Sequence, residues 1–184
     1  MARLTQRNFT CHLALLAMAA TAPHVQAQGT VADEYQVKAA FLFNFAKFVE
    51  WPADAFKGPE DPFMICVLGQ NPFGRALGDV VRDKTVGNRA FIVRDVANAQ
   101  QANKCQIVFV TASERKHFRS LLEEFKGRSI LTVGEAEDFT ENGGIINFKL
   151  KDARVRIEID AGAAERAKLH ISSKLLSLAE ITRK

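Results

Sequence analysis

Four groups of residues have types and spacings that bear on chemistry. Gly69-Gln-Asn-Pro-Phe-Gly74 follows an apolar run and precedes a helical pattern, which is where free backbone amides hold a phosphate. The next residues are Arg75-Ala76, not the Lys-Ser/Thr of a phosphate loop, and no G-x-G-x-x-G occurs, so a plain strand-to-helix turn is expected. Ser113 and His117 stand four apart, as a nucleophile and its base would on one helix face. Ser113 belongs to a helix-start segment, however, where hydroxyls cap amides, and no Gly-x-Ser-x-Gly elbow surrounds it. Glu135, Glu137, Asp138 and Glu141 precede Gly143-Gly144 without the alternating oxygen ligands of a calcium loop, and read as acids in the first turn of a short helix. His170 stands alone between Leu169 and Ile171. No catalytic residue, metal site or cofactor is therefore expected, and the protein is not read as an enzyme.

The cysteines lead back to the ends of the chain. Arg3 and Arg7 precede an acid-free apolar run, 13–22, and Val25-Gln-Ala27 places small residues where a signal peptidase reads them. Residues 1–27 are expected to be a cleaved secretory signal, because a run of about 10 residues is too short for the roughly 20 a bilayer requires. Export removes Cys11 and leaves Cys66 and Cys105 in an oxidising compartment, where one disulfide is the simplest reading. A two-thiol metal site would need a CxxC pair or a histidine cluster, and the chain has neither. Of 184 residues, 25 are Lys or Arg and 21 Asp or Glu; losing Arg3 and Arg7 leaves 23 bases on a single domain of residues 28–184. That near-balance, with no basic stripe, lacks the electrostatic footprint of nucleic-acid binding.

The elements that must position these residues read as α/β. Tyr35 to Trp51 spaces Val37, Ala40, Phe41, Phe45, Phe48 and Val49 by threes and fours, an amphipathic helix stopped by Pro52, with Thr30 or Asp33 to cap it. Five of its aromatics, Phe41, Phe43, Phe45, Phe48 and Trp51, bury more than one core face needs. Continuous apolar runs at 63–68, 90–93 and 107–110 read as strands buried on both faces of a parallel sheet, with a further strand at 129–133 and helices at 73–81 and 114–125, the latter opened by a capping box at Thr111–Glu114. After Asn142-Gly-Gly144, Ile146, Phe148 and Leu150, then Val155, Ile157 and Ile159, alternate as a β-hairpin with Arg154, Arg156 and Glu158 on its wet side. Asp160 is placed to cap a short helix through Lys168, and Leu175, Leu176, Leu178 and Ile181 read as a final amphipathic helix. The expected fold is thus a mostly parallel sheet flanked by helices, with a C-terminal hairpin and terminal helix.

Val37-Lys-Ala-Ala-Phe-Leu-Phe-Asn-Phe-Ala-Lys-Phe-Val-Glu-Trp-Pro52, Ile65-Cys-Val-Leu-Gly69 with Pro72-Phe-Gly74, Cys105-Gln-Ile-Val-Phe-Val110, Ile130-Leu-Thr-Val133, Phe139, Gly143-Gly-Ile-Ile-Asn-Phe148 and Leu169-His-Ile-Ser-Ser-Lys-Leu-Leu-Ser-Leu-Ala179 together form a pattern over essentially the whole mature chain. In these segments the sequence resembles the YfiR family of periplasmic proteins. The resemblance implies a secreted, homodimeric repressor that binds the periplasmic part of an inner-membrane diguanylate cyclase, lowering cyclic di-GMP and biofilm formation. It also implies redox control and sequestration by an outer-membrane lipoprotein. Cys66 and Cys105 match one family disulfide; a second pair, carried near the Gly-Gly turn by a well-studied member, has no counterpart here.

Two functions are weighed on this basis. A non-enzymatic regulator would hold its partner on apolar surface. Leu169, Ile171 and Leu175, flanked by Lys174, are expected to form part of that face, with Phe41 and Phe45 nearby, because the segment 169–179 holds more apolar residues than one stripe of a short helix buries. A small-ligand sensor would instead use a pocket at the carboxyl ends of the parallel strands, near Gly69 and Thr111.

Overall fold

The computed structural model describes residues 31–182; the signal-peptide reading and the Thr30 cap fall on residues outside that range. Helix α1 (Val31–Phe48) begins one turn earlier than periodicity predicts, with Asp33 and Glu34 in its first turn, where the helix dipole favours acids. It runs into the two-residue strand β1 (Val49–Glu50), which pairs antiparallel with β9 (His170–Ile171).

Among the described residues the main sheet has eight strands in the order β10-β8-β7-β6-β5-β2-β4-β3. Its centre is parallel: β4 (Arg89–Val96), β2 (Phe63–Leu68), β5 (Ile107–Val110), β6 (Leu131–Gly134) and β7 (Ile146–Lys151). The edge strand β3 (Thr85–Val86) is antiparallel to β4, and β8 (Arg154–Asp160) is antiparallel to β7. As the unbroken apolar runs predict, β2 and β5 are buried on both faces, but the third run, 90–93, is only half-buried or exposed, because β4 lies next to the sheet edge.

Each face of the sheet carries its own core. One joins Leu42 and Phe45 of α1 and Leu77 of α2 (Ala76–Val81) to Ile65, Phe109, Phe148 and Ile159. The other packs Ala99 and Ala102 of α3 (Ala99–Ala102), and Phe118, Leu122 and Phe125 of α4 (Phe118–Phe125), on Leu68, Val108 and Val110. The Cys66–Cys105 disulfide lies in this second core and ties β2 to the turn before β5, across a separation of 39 residues.

Three local expectations are corrected. The 114–125 helix splits into a 3-10 segment, Ala112–His117, followed by α4, and the Thr111 hydroxyl engages Ser113 Oγ at 2.7 Å, so no capping box closes. Glu158 does not face water: segment 136–140 covers that end of the hairpin, and its buried carboxylate accepts from Thr140 Oγ1 and pairs with Lys149. The terminal helix is a single turn, α6 (Ser173–Leu176), after which β10 (Glu180–Thr182) joins β8 in parallel. Asp160 does cap α5 (Ala161–Arg166), accepting from the Ala163 amide at 2.9 Å.

Candidate functional site

At the carboxyl ends of β2, β5 and β6 the chain fills the crevice where α/β sheets commonly bind ligands. Gly69 has φ +99, and a Cβ there would lie 2.3 Å from Thr111 Oγ1 and 2.6 Å from Ser113 Oγ, so glycine lets the two loops touch. Ser113 Oγ accepts from the Gln70 amide at 3.1 Å and is thereby committed to structure. Asn71 Oδ1 accepts from the Phe73 amide at 2.8 Å, which forms an Asx turn instead of a phosphate cradle. His117 Nδ1 lies 3.8 Å from Glu114 and not against Ser113, so the Ser113/His117 spacing assembles no nucleophile and base.

Beside this crevice the first turns of α1 are fastened to β6. Lys38 is 5% exposed, with Nζ 2.5 Å from Glu34 and 2.8 Å from Glu135. Tyr35 donates its hydroxyl to Glu135 at 3.1 Å, and Lys38 Nζ sits 4.5 Å from the Tyr35 ring centroid. Burial, followed by the negative charge and hydrogen bond of Glu135 and the charge of Glu34, pushes the Tyr35 hydroxyl well above the usual phenol range. Of the four acids before the Gly-Gly turn, Glu135 serves this network and Asp138 meets Arg115 at 3.2 Å. Among the described residues no group of three or more His, Cys, Asp or Glu could hold a metal, and no helix is long and apolar enough to cross a membrane.

The expected partner residues divide into two sets. Leu169, Ile171, Leu175 and Phe45 are buried in the first core and so form no open face; the large apolar side chain that the segment 169–179 leaves exposed is Leu178. Folding back as β9 and a one-turn helix, the segment aims these side chains under α1. Phe41 and Lys174 reach the surface, but apart: Lys174 Nζ lies 5.2 Å from the Phe48 ring, seven residues or about 10 Å along α1 from Phe41. Further open apolar surface lies at the other end of α1. Val37, 45% exposed, and Phe41 form one wall of a groove of about 430 Å³, and Leu150 and Val155 of the hairpin form the other. Phe41 is braced from beneath by Phe45 and Phe148, with ring centroids 6.0 and 5.9 Å away. Leu150 and Val155 are directly paired across the hairpin on the α1-facing side. The sequence signal for them was present: Leu150 and Val155 continue the apolar alternation of Phe148 and Ile157 by one more pair.

No curated protein matches the chain in sequence. One similar solved structure is a crystal structure of a conserved domain protein from Vibrio cholerae O1 biovar El Tor strain N16961, 11% identical with a TM-score of 0.48, the match covering 66% of this chain. This chain spans about half of that protein, 54%. A family model described as YfiR/HmsC-like matches residues 35–180, from the tyrosine that fastens α1 to the first residue of the last strand. That match takes in every element described above except the first turn of α1 and the end of β10, and the chain belongs to the YfiR/HmsC-like family of periplasmic regulators.

Proposed function

We propose that the protein is a periplasmic, non-enzymatic repressor that binds the periplasmic part of an inner-membrane diguanylate cyclase and so lowers cyclic di-GMP and biofilm formation. Family membership supports the regulatory class, and the observation that carries the binding role is the open groove between α1 and the hairpin. A monomer seldom leaves Val37, Phe41, Leu150 and Val155 contiguous at its surface without a partner. Phe41, from the expected set, is the anchor and Phe45 braces it from beneath; Leu169, Ile171 and Leu175 are core residues toward the far end of α1, and Lys174 lies outside the groove. Action as a homodimer, and sequestration by an outer-membrane lipoprotein, belong to the same proposal.

The experiment is capture of detergent-solubilised inner membrane on the immobilised protein, with the eluate assayed for conversion of GTP to cyclic di-GMP. Cyclase activity retained by the wild type and lost from Val37→Glu is the expected result. Equal retention by both, with the variant folded, places the interface elsewhere; no retained cyclase removes the proposed partner.

The sensor reading has one observation in its favour, at a different place from the one the sequence indicates. A cavity of about 300 Å³ lies between the end of α4 and α5, with Phe125, Ile130 and Ile145 inside and Arg128 and Arg166 at the rim. A thermal-shift screen that finds a ligand stabilising the wild type but not Ile145→Trp would support it.

A further inference from the structure

The β7–β8 hairpin carries its charge in an arrangement that its own stability does not explain. On the side away from α1 the register sets Lys149 directly opposite Arg156 and Lys151 directly opposite Arg154. Like charges in directly opposed positions destabilise an antiparallel pair. Lys149 is relieved at the base of the hairpin by Glu158. Lys151, Arg154 and Arg156 are exposed and have no carboxylate partner among the described residues; the acid between them in sequence is Asp152, in the turn. Two exposed leucines lie at the same end of the molecule, Leu150 at 61% and Leu178 at 66%, and both line a groove of about 500 Å³ in which Lys149, Lys151 and Arg156 outnumber the acids Asp152 and Glu180.

Cations interleaved with exposed leucines suit a surface that offers phosphates above and acyl chains beneath. We propose that this hairpin docks on an anionic phospholipid bilayer. Leu150 stands two residues from Asp152-Ala153, the turn at the tip, and lines one groove with Arg154 and the other with Arg156, so the hairpin meets the surface tip first with leucine and guanidinium groups side by side. An acidic protein segment would satisfy the cations but would leave Leu178 in water. The inference goes beyond the cyclase reading and does not rest on it, since protein-free vesicles suffice to test it.

The test is co-sedimentation of the mature protein with vesicles of phosphatidylethanolamine and phosphatidylglycerol, compared with phosphatidylcholine alone. The protein should sediment with the anionic vesicles, release as salt rises, and not sediment with phosphatidylcholine. R154Q/R156Q should bind about thirtyfold more weakly, the factor that two cations near an anionic surface contribute. Because that variant removes a like-charged guanidinium from each opposed pair, its melting temperature should match or exceed that of the wild type, which separates lost binding from lost folding. Absence of sedimentation with anionic vesicles at low salt, or wild-type binding by R154Q/R156Q, overturns the proposal. Capture of an acidic peptide by a protein that ignores the vesicles overturns it equally, and makes the face a protein-docking surface.

Discussion

Replacing Lys38 by Met is the sharpest test of how α1 is held. Met keeps the apolar stem that packs beside Tyr35 and Phe148, so the change removes the charge and little volume. It strands the Glu135 carboxylate, whose side chain is 9% exposed, without the ammonium now 2.8 Å away. Removing one partner of a buried pair costs about 3–5 kcal/mol. The Tyr35 hydroxyl at 3.1 Å and the Ala112 amide at 3.5 Å remain to solvate Glu135, and Glu34 is partly wet, which places the expectation near the lower figure, about 3 kcal/mol. With a urea slope of roughly 2 kcal/mol/M the unfolding midpoint should fall by about 1.5 M. Lys38→Met/Glu135→Gln exchanges the ionic contact for a neutral one and should recover to within about 1 kcal/mol of the wild type, because burying neither charge avoids the desolvation cost. Urea titrations of the four proteins, followed by the fluorescence of the single tryptophan, Trp51, give the cycle directly. A cost below about 1 kcal/mol for Lys38→Met, or a double variant as unstable as the two singles summed, would refute the reasoning.

Tyr35 is the chain's one tyrosine, so phenolate absorbance reports it alone. Its raised folded value means that the unfolded chain ionises first, near pH 10, and stability falls as pH rises past that point; Tyr35→Phe should flatten this alkaline loss, and a native-state phenolate appearing near pH 10 would contradict it. Cys66→Ala/Cys105→Ala frees a loop with a separation of 39 residues and should cost about 4 kcal/mol in urea titrations. Leu175→Glu, placing a charge at a site 2% exposed, should fail to fold at ordinary temperature by circular dichroism, whereas Val37→Glu should melt within a few degrees of the wild type.

The sequence was most legible where one local cause decides the structure. β2 and β5 match the expected runs residue for residue because a parallel strand buried on both faces leaves an unbroken apolar run. The Asp160 cap was likewise a local matter of one carboxylate and an amide three residues on. What failed was decided by distant partners. Leu175, Leu176 and Leu178 keep helical spacing, yet β8 offers an open edge and the chain after Ala179 pairs with it. Glu158 alternates as a wet residue should, but Thr140 and Lys149, 18 and nine residues away in sequence, bury it. The open face expected at Leu169, Ile171 and Leu175 failed for the same reason: counting apolar residues in 169–179 does not reveal that α1 lies over these three, while Val37 and Leu150 stay exposed.

The central claim is that the groove between α1 and the hairpin restrains a diguanylate cyclase, and cellular cyclic di-GMP tests it most directly. In the host, under conditions where the protein is expressed, deletion of its gene should raise cyclic di-GMP, and the wild-type gene supplied in trans should restore it. Val37→Glu, exported in equal amount and folded, should leave the level high. An unchanged level in the deletion strain, or full restoration by Val37→Glu, would contradict the account.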